Sequence, residues 1–155
     1  VDGITIAQAG AIERYAAKLA NLYPSDPLEA AQVDQAACFI DEFLPIFAST
    51  IGMSDPEAKA NAQREATEKF KPKLAKLNDM VEKAGSNYLA GPKLTYADIA
   101  AFCYVSFLLS GMFAGATMEV LNAFPAVANY RKRIASLPEV KEYYEKASDR
   151  DTFKP

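Results

Sequence analysis

The sequence offers few side chains suited to chemistry, and one missing type narrows the choice most. Its 155 residues include no histidine, which removes Ser-His-Asp and Cys-His catalysis and imidazole metal sites together. The two cysteines, Cys38 and Cys103, lie far apart, without C-x-x-C spacing and among apolar neighbours. An apolar setting raises a thiol's pKa and hides it, so both are expected to be buried and inert. Asp41 and Glu42 are adjacent acids close to Pro45; by residue type alone they read as a wet helix face. The sharpest local chemistry is in LTYADIAAF, residues 94–102. There the Thr95 hydroxyl can accept from the Asp98 N–H while the Asp98 carboxylate reaches back to the Thr95 N–H, and Leu94 can pack on Ile99. That is a capping box with a hydrophobic staple. Its role is structural, because the first N–H groups of a buried helix have no water to take them.

The elements that must position these residues are mostly helices. Val1–Gly3 gives a turn signal, and Ile4-Thr5-Ile6 alternates β-branched residues as a short strand would. Ile12, Tyr15, Ala16 and Leu19 follow helical spacing up to a stop before Pro24. A connector, Pro24-Ser25-Asp26-Pro27, leads into a helix from Leu28 marked by Val33, Ala36, Ala37, Ile40, Leu44 and Phe47, with a break expected near Asp41–Pro45 because proline removes a helical hydrogen bond. Asp55 with Pro56 opens the next helix, bent at Pro72 and closed at Gly85. A helix from Thr95 to about Phe113 follows, then two shorter ones at Pro125–Ser136 and Pro138–Lys146, and a polar irregular tail from Ser148. The expected fold is an all-α bundle prefaced by a strand and helix whose sheet is not in the sequence.

Composition limits the partners. Half of the residues are apolar, enough for one domain with a real core. A net charge of −3 and a pI near 5.1, without a basic run, repel phosphate, so nucleic acid is not an expected partner. Ile99 to Met118 carries no charge and matches the roughly 20 residues that span a bilayer. Its serines, glycines and polar cap, without basic flanks, instead favour a helix inside a bundle, and no membrane association is expected.

Four stretches in order resemble the cytosolic glutathione transferase family: QAGAIERYAAKLANLYP, VDQAACFIDEF, LTYADIAAF and FPAVANYRKRIASLPEVKEYY. VDQAACFIDEF is similar to the fourth helix of the sigma-like and related classes. The resemblance covers essentially the whole chain. It implies that residues 1–23 are a remnant of a thioredoxin-like domain, its last strand and last helix, and that residues 24–155 are the all-helical C-terminal domain. It also implies a cytoplasmic homodimer that conjugates the glutathione thiolate to small apolar electrophiles in detoxification. Glutathione is a co-substrate, and neither a cofactor nor a metal is implied.

The resemblance also distributes roles. The catalytic Tyr, Ser or Cys and the cis-proline of the family lie in the part not represented here; Tyr15, Tyr23 and Tyr88 do not match that position, so no catalytic residue is assigned and the chain alone is expected to be inactive. Gln8 matches the family glutamine of the γ-glutamyl pocket, whose amide both donates and accepts. Ala9 stands where serine is usual, leaving its N–H at a helix N-terminus for a carboxylate. Asp41 and Glu42 match the acidic pair that reaches the glutathione ammonium group across the dimer in relatives, with Glu42 the closer match. Leu44, Phe47, Ile51 and Phe107 are the candidates for the electrophile wall. The alternative implied by such domains elsewhere is a non-catalytic protein-interaction module, which the alanine at position 9 also fits.

Overall fold

The computed structural model describes residues 1–146; the polar tail expected from Ser148 lies outside them. Seven helices make up the described chain: α1 (Ala9–Leu19), α2 (Pro27–Asp41), α3 (Leu44–Ile51), α4 (Pro56–Ala84), α5 (Tyr96–Leu108), α6 (Pro125–Ala135) and α7 (Pro138–Lys146), with a 3-10 segment at Met118–Ala123 before α6. No sheet forms among the described residues, as the all-α expectation requires.

Local chemistry fixes most boundaries. Asp26 and Asp55 cap α2 and α4 by accepting from the next helix's N–H groups at 2.9–3.2 Å, each with proline at the first helical position. Pro45 interrupts the expected long helix, so α2 and α3 are separate. Helix α4 runs unbroken through Pro72 and stops at Gly85, whose φ of 61° lets the chain leave the helix without a Cβ clash.

α2 packs on α5, α3 and α6 pack on α4, and α5 also meets α6. The core centres on Phe43, Phe47, Phe70, Leu74, Leu77 and Leu108, all fully buried. A smaller apolar cluster joins α1 to α2 and α5 through Ala17, Val33, Ala36, Ala37, Tyr96 and Ala97.

Three expectations change. Among the described residues Ile4–Ile6 forms no strand pairing: Ile4 is exposed, and Val1 and Ile4 exchange hydrogen bonds of 2.8 Å across a tight turn. A strand without a neighbour has no ladder to form. The Ile12, Tyr15, Leu19 stripe of α1 faces away from the bundle, and Ala17 alone on that helix is buried. The uncharged helix ends at Leu108. There Ser110 Oγ donates to the Phe107 carbonyl at 2.8 Å, and Gly111 at φ 89° turns the chain so that Phe113 folds back onto the Phe47 and Phe107 rings. Both cysteines are exposed.

Candidate functional site

The start of α1 is set by backbone strain. Gln8 precedes the helix at φ 75°, ψ 123°, a conformation that a residue with a Cβ rarely adopts, and its side chain makes no capping bond. Such a conformation costs on the order of 1–3 kcal/mol and concentrates where a backbone is aimed at a ligand. The exposed Gln8 amide and the Ala9 N–H therefore open together at the positive end of a helix. Arg14, one turn on, steadies this end by donating from Nη1 to the Gly10 carbonyl at 3.0 Å.

The adjacent acids part company because successive helical residues point about 100° apart. Asp41 turns towards α1: a Cβ on Gly10 would lie 3.9 Å from Asp41 Oδ2 and 3.0 Å from Arg14 Nη1. Burial raises its carboxyl, and Arg14 opposes that in part. Glu13, on α1, is raised by burial and then by Asp41. Glu42 turns the other way and pairs with Lys73 of α4, whose ammonium group also lies 5.4 Å from the Phe39 ring centre. So Asp41 stands beside Gly10 in the first turn of α1, and Glu42 is engaged elsewhere.

The four apolar candidates differ in exposure. Phe47 is sealed in the core, 5.7 Å from the Phe70 ring and 4.7 Å from the Phe113 ring. Phe107 is half-buried and edge-on to Phe113, Leu44 is half-buried at the start of α3, and Ile51 faces solvent at its end.

Two hubs hold these elements in place. At the head of α5 the capping box forms, and the fully buried Asp98 carboxylate accepts from the Thr95 N–H at 2.7 Å, the Thr95 hydroxyl at 2.9 Å, the Leu89 N–H at 2.9 Å and the Tyr130 hydroxyl of α6. Burial, then the Asp98 charge, pushes the Tyr130 phenol well above its ordinary value.

The other hub went unnoticed in the sequence. Asp34 of α2 accepts from Arg14 Nε at 2.7 Å, from the Tyr96 hydroxyl at 2.9 Å and from the Tyr23 hydroxyl at 3.0 Å. It thus joins α1, the connector, α2 and α5. Burial would raise the Asp34 carboxyl, but these three bonds outweigh it and hold the group below its usual range. The same contacts raise Arg14, while Tyr96 and Tyr23 are raised first by burial. A signal was present: Asp34 is the one charge in AAQVDQAACFI, residues 30–40.

Residues 29–147 match the glutathione S-transferase C-terminal domain. The chain belongs to the glutathione S-transferase family. Among sequence relatives of this glutathione S-transferase chain, "Probable glutathione S-transferase 7" of Caenorhabditis elegans is 28% identical over 149 residues, a match spanning 94% of this chain and 70% of the relative. Glutathione S-transferase alpha-5 of Rattus norvegicus is 28% identical over 158 residues, spanning 99% and 67%. Among solved structures, prostaglandin synthase D of Nilaparvata lugens superposes with a TM-score of 0.80 at 24% identity, covering 96% of this chain and 72% of the other; at that identity the likeness speaks for the fold alone.

Proposed function

We propose that this chain is the helical part of a sigma-like glutathione transferase that conjugates glutathione to small apolar electrophiles and works in detoxification as a cytoplasmic homodimer. In this reading Gln8 and the Ala9 N–H receive the γ-glutamyl carboxylate, and Asp41 with Glu42 supplies negative charge for its ammonium group. Leu44, Ile51 and Phe107 contribute to the electrophile wall with Phe47 bracing it from the core. Neither a cofactor nor a metal takes part. Residues 1–23 are the end of a thioredoxin-like domain, which carries the catalytic group, so the chain alone is inactive.

The observation that carries the proposal is the Gln8 backbone, strained at φ 75° with its amide uncommitted in a chain of this family. Support for the domain division comes from the Val1–Ile4 turn. Asp2 and Gly3 both have positive φ, 47° and 80°, as in the two-residue turns that join antiparallel strands. The stripe of α1 that faces away from the bundle would then lie against that sheet.

Titration calorimetry of the 155-residue chain with glutathione tests the pocket. The expected result is weak binding that Gln8→Ala lowers about tenfold, the scale of one lost hydrogen-bond pair to a charged group, with no conjugation of an activated aryl halide. Binding unaffected by Gln8→Ala removes the pocket assignment, and conjugation by the intact 155-residue chain removes the statement that catalysis resides elsewhere.

The second reading is a non-catalytic interaction module. The Glu42–Lys73 pair favours it, because a carboxylate already neutralised within its own chain is less available to an ammonium ligand. Absent glutathione binding together with capture of a defined protein partner would select this reading.

A further inference from the structure

Of the seven glycines, Gly10 alone lies inside a helix among the described residues. Glycine is less favourable there than alanine, because it gives up more backbone freedom on folding. Its place in the first turn of α1 has a steric reason. A Cβ at this position would lie 3.0 Å from Arg14 Nη1, inside ordinary contact distance, and 3.9 Å from Asp41 Oδ2. The room that a side chain would need is taken by the Arg14 guanidinium.

The guanidinium is held there from several directions. Nη1 donates to the Gly10 carbonyl at 3.0 Å, Nε donates to Asp34 Oδ1 at 2.7 Å, and Nη2 donates to Cys38 Sγ at 3.6 Å. A planar fork with all three nitrogens engaged keeps one orientation. Asp34 is itself fixed by the Tyr23 and Tyr96 hydroxyls at 3.0 and 2.9 Å. Position is thus passed from α5 and the connector to Asp34, from Asp34 to the guanidinium, and from there to the first turn of α1. Within that turn the Ala11 and Ile12 N–H groups donate to the Gln8 carbonyl at 3.0 and 3.1 Å, which ties the strained Gln8 backbone to it.

We propose that Arg14 is the positioning residue of the glutathione pocket and that Gly10 is the residue that admits it. Arg14 acts through the backbone. By clamping the first turn of α1 against Asp34, it keeps the Gln8 amide and the Ala9 N–H aimed at the γ-glutamyl carboxylate, so that binding has little ordering left to do. A lysine would carry the charge without the fork, and so could not hold Asp34 and the Gly10 carbonyl at once. The inference rests on the glutathione reading and names what keeps that site in shape.

The test is a double-mutant cycle on the 155-residue chain, with Gly10→Ala, Arg14→Ala and the two combined, read by hydrogen exchange of the Ala11 and Ile12 amides and by calorimetry with glutathione. With the guanidinium removed, alanine at position 10 should behave as in any helix and slow exchange about two- to fivefold relative to Arg14→Ala. With the guanidinium present, the same substitution should speed exchange about fivefold, the scale of one lost hydrogen bond. Glutathione affinity should fall about fivefold in Gly10→Ala and in Arg14→Ala, and Arg14→Lys should restore neither readout. Protection of the α4 amides should be kept in every variant, which separates a local effect from unfolding. Slower exchange on Gly10→Ala in both backgrounds, or native behaviour of Arg14→Lys, would overturn the proposal. Glutathione binding that Gln8→Ala lowers but Gly10→Ala and Arg14→Ala leave unchanged would overturn it alone, whereas no binding by the native chain would remove the pocket reading and this proposal together.

Discussion

Asp98 and Asp34 are both carboxylates that collect hydroxyl donors from several elements, but Asp98 is sealed in the bundle without a cation and Asp34 lies at an open seam beside Arg14. A carboxylate out of reach of water depends on every donor it has, because each one removed leaves charge that nothing else can solvate. A carboxylate at a seam can fall back on water, and its ion pair is screened. The bundle is therefore locked at α5 and α6 by an interaction that cannot be weakened by degrees. The attachment of α1, which buries Ala17 alone, rests on one that can.

The largest expected effect is at Asp98. Asp98→Ala should cost about 3–5 kcal/mol, because it leaves several buried N–H and hydroxyl donors unsatisfied at about 1–3 kcal/mol each, and urea unfolding should show it as a global loss. A loss under about 1 kcal/mol would mean that the two hubs are equivalent. Asp34→Ala should cost about 1–2 kcal/mol after discounting for its partial exposure. Hydrogen exchange should then place the added opening in α1, Ala9–Leu19, and leave α4 and α5 protected.

Thr95→Ala should cost about 1 kcal/mol, since Asp98 keeps its backbone and Tyr130 donors. Acid sharpens the contrast in the same direction. The folded-state pKa of Asp34 is depressed, so its contribution is fully present above its unfolded value of about 3.9 and is lost as pH falls through the lower folded value. Exchange of the α1 amides should accelerate across that interval more in the native chain than in Asp34→Asn. The smallest effect belongs to the exposed Glu42–Lys73 pair, where Lys73→Met should change stability by less than about 1 kcal/mol by thermal melting.

Much of the fold was legible because it depends on near neighbours. Asp26 and Asp55 with their prolines, Pro45, Gly85 and the Thr95–Asp98 box each act within a few residues, and they set the helix boundaries where the spacing places them. The stop at Leu108 was not legible, because an uncharged run does not reveal whether Phe113 continues a helix or folds back onto Phe47. Of the candidate site, Gln8 and Ala9 are proposed on resemblance, while the division of Asp41 from Glu42 depends on what α1 and α4 bring to either side. Asp34 was missed although its lone charge was in plain sight, since its three donors lie 11 to 62 residues away.

Helix identity, most helix ends, the absence of imidazole chemistry and the box at α5 follow from the sequence by itself, because short-range sterics and hydrogen bonding decide them. Which face of α1 meets the bundle, where the cysteines lie, which of the adjacent acids pairs with Lys73 and what surrounds Asp34 were decided by tertiary structure. Those depend on groups distant in the chain meeting in space, and local spacing carries no record of such meetings.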